Sequence, residues 1–504
     1  MSEISQYPQD VPEQQEADAT GLAGAAPALR GPWKAGGPIA RLGSAPQGPV
    51  TVRKVLTLAT PAIAEQVLVG IIGLTDTVIA GHLPGNANTI ASAAAAVGLM
   101  SYLQWFAGLM TNALGVGATA IVARSIGARR PRVANRVAGT SVAAAFVVSI
   151  LTSAALFIFS RQIVWLCGLR DLAALFAVQY LRIMVVTISL QTTAQIGMAC
   201  LRGAGDTVRP MVLMAMVMLV NGLFSFTFAF GWFGMPAWGV RGDAFGTLLA
   251  YLAGGASAII ILFFSNSVLR IRLRHLKIVP HVLMRVLRIG MPSFMEGMLL
   301  WSGQFLIVMF VINVNSDPYG YTMAAHSAVL RVESMAFLPG FGFGIAASAL
   351  VGQYLGANLP RQAWRAAWIA TTMALVTMTV IAIPMVFFPR WMLGLIVNSP
   401  PVIAVGAWPM VLAGLAQPGF AGAIGLGAAL RGAGETVWPM VATVSGTFGV
   451  RLAVLAVALL VLKHVGYTYA NLTAVWIAIF MDLNYRAVVC LVIFLKGRWQ
   501  RKKV

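Results

Sequence analysis

Long apolar segments separated by short polar stretches run from about residue 54 to the end of the chain. Each is long enough to cross a bilayer as a helix, which takes about 20 residues. None alternates apolar and polar residues as a membrane β-strand does, so helices must satisfy the backbone. The pattern predicts twelve spans, near residues 54–80, 91–123, 136–160, 172–200, 209–231, 243–265, 283–312, 321–353, 362–388, 402–429, 438–462 and 469–495.

A repeated segment divides these spans into two sets of six. Residues 201–211 read LRGAGDTVRPM and residues 430–440 read LRGAGETVWPM, identical at nine of eleven positions and 229 residues apart. The Pro-x-x-x-Glu pair at residues 61–65 returns at residues 292–296, at an offset of 231. Such self-similarity indicates an internal duplication. Gly-Ala-Gly in each copy, followed by an acid and then a proline, predicts a tight turn whose acid caps the next helix.

The domain organisation follows from the duplication. We predict a disordered tail over residues 1–50, a six-helix bundle over 51–266, a basic linker over 267–281, a second six-helix bundle over 282–499 and a basic tail over 500–504. The expected fold class is an all-α membrane protein with twelve transmembrane helices. Residues 1–50 have no apolar stretch after a basic start, so we do not expect a signal peptide.

Composition supports a membrane protein and sets its orientation. The chain is 59% hydrophobic and 10% charged, with a net charge of +20. If the first tail is inside, the predicted inner loops and ends hold 23 Lys and Arg and the outer loops hold 5. The positive-inside rule then places both termini in the cytoplasm. We expect a multi-pass protein of the bacterial cytoplasmic (inner) membrane, monomeric, with its two halves related as parallel repeats.

The basic residues do not predict nucleic-acid binding, because they lie in short loops between apolar runs and no groove-reading fold accompanies them. The linker over residues 269–281 reads as an amphipathic connector lying on an anionic leaflet. Three cysteines without metal spacing predict neither a disulfide framework nor a metal site. No nucleophile elbow, phosphate-binding loop or paired catalytic carboxylates occur, so we expect neither an enzyme nor a cofactor.

Several motifs resemble the multidrug and toxic compound extrusion (MATE) transporters. Residues 58–81, with Leu-Ala-Thr-Pro-Ala-Ile-Ala-Glu and Thr-Asp-Thr-Val-Ile-Ala-Gly, are similar to the first helix of that family, and residues 324–357 are similar to its eighth. The likeness covers about residues 51–499. It implies a V-shaped, two-bundle exporter of organic, often cationic compounds, driven by inward flow of H⁺ or Na⁺. Small organic substrates and the lipid bilayer are then the expected partners.

The acids that we identify within the apolar runs are Glu65, Asp76, Glu296, Glu333 and Asp482. An ionisable group inside a bilayer is costly and marks a pathway or an ion pair. Asp76 has no counterpart in the second half, and the resemblance implies a coupling acid in this Asp-x-x-x-x-Gly setting. We therefore choose Asp76 as the first candidate for the coupling ion. It is the one acid identified at its depth, which favours H⁺ over Na⁺, because Na⁺ needs several oxygens.

Glu65 and Glu296 recur with their prolines, which favours an architectural role such as tying a kinked helix to its neighbour. Because relatives in the resembling family use an acid in the seventh helix, Glu296 remains a second coupling candidate, with Glu65 after it. Asp482 and Arg486 are four residues apart and can neutralise each other on one helix.

Aromatic and methionine side chains predict a cavity that can adapt to varied substrates. The candidates are Trp105, Phe106, Met110, Trp301, Met309, Phe337 and Phe341.

Two other functions remain open from the sequence. A flippase for a lipid-linked or other lipid-like substrate would use a related fold, but it would need more cationic residues in its cavity than the four arginines within the spans. A membrane enzyme would need an acid–base or metal set at one depth, which the sequence does not provide.

Overall fold

The computed structural model describes residues 48–502, except 84–86, 168, 265–268, 308–320 and 467–469. Most of the segment predicted to be a disordered tail therefore lies outside the described residues. The described chain is helical, and its twelve long helices are α1 (Val52–Gly81), α2 (Ala87–Gly127), α3 (Pro131–Ile158), α4 (Asp171–Gly203), α5 (Val208–Phe230), α6 (Val240–Phe264), α7 (Pro280–Ile307), α8 (Tyr321–Gly356), α9 (Pro360–Phe387), α10 (Pro400–Gly432), α11 (Val437–His464) and α12 (Ala470–Leu495).

Ten of these helices are apolar and long enough to cross a membrane within the described part of the chain. The other two, α2 and α7, have 41 and 28 residues and complete the twelve. The predicted all-α fold of two six-helix sets is confirmed. Helix ends extend a few residues beyond the hydropathy pattern, since the polar residues at the interfaces still continue the helical backbone.

Helix α11 contains a π-helical turn over Ser445–Arg451 between two α-helical parts. Such turns are rare, and they occur most often at functional sites.

We call the side at which α1 begins and α2 ends the basic side, because the Lys- and Arg-rich loops lie there. The two halves meet closely at this side. A Cβ atom at Gly127 would overlap the carbonyl of Gln353, and one at Gly356 would overlap the carbonyl of Arg124. Gln353 also donates through Nε2 to the carbonyl of Gly203 at 3.0 Å. The backbones of α2 and α8 therefore touch, and the gap between the halves is closed here.

The two repeated boxes form the turns α4–α5 and α10–α11, as predicted. Gly205 and Gly434 adopt left-handed φ angles of 89° and 82°, which glycine reaches without strain. Asp206 accepts from the backbone N–H of Arg209 at 3.2 Å and forms an ion pair with its side chain. Its counterpart Glu435 differs, because position 438 is Trp instead of Arg.

Glu435 pairs instead with Lys502, whose Nζ lies 2.7 Å from the Glu435 carboxylate. The backbone carbonyl of Lys502 accepts from Arg124 at 2.5 Å. The end of the chain therefore joins the second half to the first.

The linker is folded against the first half. Leu269 and Ile271 are fully buried in the core of that half. The N–H of Arg270 donates to Asn135 at 2.9 Å, and the basic side chains on either side of Ile271 are exposed. The apolar residues predicted to lie on a leaflet are thus packed on protein at this point, because an extended backbone directs successive side chains to opposite sides.

Candidate functional site

A buried acidic cluster lies between α1, α4, α5 and α6. Asp76 is 8% exposed and Asp243 is 1% exposed, and their carboxyl groups interact electrostatically. The polar side chains of Asn221 and Thr247 lie beside Asp76. The Tyr180 hydroxyl donates to Asp243 Oδ2 at 3.4 Å. Two carboxyl groups therefore share a buried site beside neutral amide and hydroxyl groups.

The cluster has spare oxygen atoms. Asp76 Oδ1, Asp243 Oδ1 and Asn221 Oδ1 are buried and have no hydrogen-bond partner among the described residues. The amide nitrogen of Asn221 is used, since it donates to Thr247 Oγ1 at 2.9 Å and to Ser225 Oγ at 3.2 Å. Buried polar atoms normally have partners. The chemistry of this group suits a proton on a carboxyl oxygen or a small cation among several oxygens.

Sequence reasoning missed Asp243, and the expectation that Asp76 is the one acid at its depth is wrong. Asp243 lies at the edge of an apolar run, and an acid at that position is typical of a helix end that is exposed to water. Gly242 and Gly246 change that position, because their missing side chains let α6 touch the backbone of α5 at Phe228 and Ser225. The Gly-x-x-x-Gly spacing around Asp243 was the available signal.

The duplicated glutamates form matching ion pairs. Arg202 Nη1 lies 2.5 Å from Glu65 Oε1, and Arg431 Nη1 lies 3.3 Å from Glu296 Oε2. Thr443 also donates to Glu296 at 2.8 Å. Each arginine belongs to a repeated box, so each pair ties the proline-containing helix of one half to the box of the same half. Neither glutamate belongs to the acidic cluster.

A second buried charged cluster lies in the second half, and its charges are compensated. Asp482 is fully buried and accepts from Arg451 Nε at 2.8 Å and from Arg486 Nε at 2.7 Å. Arg451 also donates to Gln304 at 3.0 Å and interacts electrostatically with Glu333. Asp482 does pair with Arg486 as predicted, but the sequence did not predict Arg451 as its other partner. Arg451 lies in the π-helical turn of α11.

The predicted cavity residues are only partly described. Phe337 packs edge-on against Phe341 and Phe420, with ring centroids 5.4 Å apart in both pairs. Phe106 is exposed and Trp301 is half-buried. The side chains of Trp105 and Met110, and the whole of Met309, lie outside the described residues. Phe337 therefore contributes to the second-half core as well as to any cavity.

Comparisons with known proteins agree with this architecture. The MatE family model matches residues 61–227 and 292–457, once in each half. The chain is 28% identical over 457 residues to "Probable multidrug resistance protein NorM" of Thermotoga maritima, covering 90% of this chain and 94% of that protein. It is 27% identical over 415 residues to "Multidrug resistance protein PmpM" of Pseudomonas aeruginosa, covering 80% and 83%.

A solved structure shares the fold. It is described as the "Outward-facing conformation of a multidrug resistance MATE family transporter of the MOP superfamily", and it superposes with a TM-score of 0.80 at 20% identity, covering 93% of this chain and 100% of that one. The family model matches most of both six-helix halves. This chain is therefore a multi-pass membrane transporter of the MATE family.

Proposed function

We propose that this protein is an antiporter that exports amphipathic, often cationic organic compounds, driven by inward flow of H⁺ or Na⁺ through the cluster around Asp76 and Asp243. The observation that carries the proposal is the burial of two carboxyl groups together, with no cationic side chain among the described residues that contact them. Relatives named as multidrug resistance proteins support the substrate class.

The proposed coupling rests on electrostatics. Two ionised carboxylates close together in a low-dielectric site repel each other strongly. A bound proton or Na⁺ removes that repulsion, so the packing of α1 against α5 and α6 differs between the loaded and the empty site. Neutral donors lie beside both carboxyl groups, so the pair as a whole gains and loses the cation, and Asp76 is the member that lies on α1. A change in the position of α1 also changes its contacts with the second half, because α1 packs on α8.

The identity of the ion is a separate proposal. The presence of Asp243 removes the argument for H⁺ that was based on a lone acid. Oxygens from Asp76, Asp243, Asn221 and Thr247 could hold Na⁺, which takes several oxygen ligands, and the same carboxyl pair could share one proton. Transport driven in turn by an imposed pH gradient and an imposed Na⁺ gradient distinguishes the two ions.

The arginine partners argue against a flippase for lipid-linked pyrophosphates. The four arginines within the spans are Arg182, Arg331, Arg451 and Arg486, and of these Arg451 and Arg486 both pair with the buried Asp482. Arg182 lies over the ring of Phe157, with its guanidinium carbon 5.5 Å from the ring centroid. Few cationic groups are left to bind two phosphates inside the membrane.

We also propose that both termini are cytoplasmic and that the protein works as a monomer in the cytoplasmic membrane. The charge difference between inner and outer loops supports the orientation. Reporter fusions at Val504 and within residues 313–320 test it. An externally active reporter at Val504 contradicts the orientation.

Transport in everted vesicles tests the function. Vesicles that contain the protein should accumulate a fluorescent cationic dye when a proton or sodium gradient is imposed, and vesicles without it should not. A labelled lipid-linked sugar is the comparison substrate. If the lipid-linked sugar moves and no dye moves under either gradient, the flippase function replaces the exporter.

A further inference from the structure

An open cavity of about 230 Å³ lies at the basic side, between the start of α3 and the start of α7. The residues that line it are three arginines, one histidine and four aliphatic residues: Arg132, Arg136, Arg285, His281, Ile121, Val133, Val137 and Val282. The lining therefore combines cationic groups with an apolar surface. This combination suits a ligand with a negatively charged head and an apolar body.

The two arginines that α3 contributes to the cavity have no acidic residue near them in the sequence. No Asp or Glu occurs between Asp76 and Asp171, or between Asp243 and Glu296, and all the lining residues come from these two stretches. Arg132 and Arg136 form none of the ion pairs found among the described residues. A counterion for Arg132 and Arg136 is therefore expected from outside the protein.

The linker holds the two walls of the cavity together. Thr140 donates to the carbonyl of Lys277 at 3.1 Å, and Gly139 lets the carbonyl of His275 approach α3. Burial, followed by the charges of Arg274, Arg272 and Arg136, lowers the pKa of His275. This ring is therefore neutral at pH 7, and the field around it is positive. These contacts hold the linker against α3 beside the cavity.

The duplication supplies an internal comparison. Arg132 and Arg136 correspond, at the offset of 229, to Arg361 and Arg365 at the start of α9. Val133 corresponds to Gln362, which accepts from the N–H of Val50 at 3.0 Å. This hydrogen bond holds the segment before α1 against the start of α9, and Val50 is buried there. Both halves carry the arginine pair, but the first half has the apolar Val133 where the second half has the hydrogen-bonding Gln362.

We propose that the cavity between α3 and α7 binds the phosphate headgroup of an anionic phospholipid. Arg132 and Arg136 lie one turn apart on α3, and Arg285 faces them from α7, so a phosphate between the helices can accept from both sides. Basic pockets between spanning helices at a membrane surface have the chemistry that recognises such lipids. The aliphatic residues contact the glycerol and the first acyl carbons. The lipid then joins the first half to the helix that begins the second.

Binding of short-chain lipids to the detergent-purified full chain tests the site. Dioctanoyl phosphatidylglycerol should bind, and dioctanoyl phosphatidylcholine should bind much more weakly, as measured by native mass spectrometry. Removing both charges in R132A/R136A should weaken phosphatidylglycerol binding about thirty-fold, since each basic residue near a membrane surface contributes about five-fold. The matched control R361A/R365A should change it less than about twofold.

The variant V133Q tests the shape of the cavity without removing charge. It introduces, at the corresponding position of α3, the glutamine that α9 carries. The larger polar side chain fills part of the apolar lining of the cavity, so it should weaken phosphatidylglycerol binding while all arginines remain. Because it preserves every charge, it also keeps the proposal testable if R132A/R136A does not fold.

Three outcomes overturn the proposal. The first is equal weakening by R361A/R365A, which indicates general attraction to a basic surface. The second is no preference for phosphatidylglycerol over phosphatidylcholine. The third is binding of inorganic phosphate or glycerol phosphate that depends on Arg132 and matches the lipid in affinity, which indicates a site for a soluble anion.

Discussion

In the first half, Asp76 and Asp243 are buried beside amide and hydroxyl groups, whereas in the second half Asp482 is buried between Arg451 and Arg486. The two clusters occupy different positions of the duplication. At the offsets of 231 and 229 residues, Asp76 corresponds to Ile307 and Asp243 to Leu472, and Asp482 corresponds to Ala253. The halves therefore share a helical framework but not their buried charges.

This difference indicates that the buried charges of the two halves have different roles. A carboxylate held by two guanidinium groups has its charge compensated permanently, and losing a partner is costly. A carboxyl group beside neutral donors gains stability from a proton or a cation and can release it. The first half thus has the chemistry of an exchangeable cation site, and the second half has the chemistry of a fixed structural cluster. Replacing a buried aspartate by asparagine should therefore affect mainly transport in the first half and mainly stability in the second.

The largest effect on transport is expected from Asp76→Asn. This change keeps the shape of the side chain but removes the group that binds the cation. Dye accumulation in energised everted vesicles should fall to the level of vesicles without a gradient. The free energy of unfolding should change by less than about 1 kcal/mol, since the neutral amide is not penalised by burial as a charge is.

Glu296→Gln is the matched control for Asp76→Asn, because it removes a carboxylate from the second half. It should leave dye accumulation near the parent level. If Glu296→Gln stops transport while Asp76→Asn transports like the parent, the coupling site lies in the second half and the assignment of Asp76 is wrong.

The largest effect on stability is expected from Asp482→Asn. It leaves Arg451 and Arg486 buried with only the charge of Glu333 nearby, so the expected loss is about 3–5 kcal/mol. Thermal unfolding in detergent measures it. The double variant Asp482→Asn, Arg486→Gln restores the balance of charge and should recover part of the loss. A single variant as stable as the parent would show that this cluster is not structural.

An intermediate effect is expected at the duplicated glutamate pairs. Glu65→Gln removes a 2.5 Å charged hydrogen bond to Arg202 and should cost about 1.5–3 kcal/mol. Glu296→Gln should cost about 1 kcal/mol, because its contact to Arg431 is longer and Thr443 can still donate to the amide oxygen. Thermal unfolding of both variants checks the order. The reverse order would contradict the interpretation that the first-half pair is the stronger tie.

The smallest effect is expected at the end of the chain. Lys502→Ala removes the ion pair with Glu435, and it should cost less than about 1 kcal/mol, because Lys502 is partly exposed. The exposed Lys496 supplies the control variant Lys496→Ala, which should have no measurable effect. A loss equal to that of Glu65→Gln would mean that the chain end contributes more to the contact between the halves than an exposed pair can.

The sequence by itself determined the parts of this protein that depend on local chemistry. Continuous apolar runs specify membrane helices, because a lipid environment leaves a backbone few other ways to satisfy its hydrogen bonds. The repeated box specified both the duplication and the turn, since Gly205 and Gly434 occupy conformations that favour glycine. Asp76 could be singled out because a carboxyl group within an apolar run has few explanations.

Only the tertiary structure decided which charged groups meet. Asp243 joins Asp76 because Gly242 and Gly246 allow two helices to touch, and that approach depends on the packing of α5, which hydropathy does not describe. Arg451 reaches Asp482 from a neighbouring helix, across 31 positions of the sequence. Partners such as these depend on helix rotation and depth. Those are set by side-chain packing over the whole bundle, so one segment read alone does not contain them.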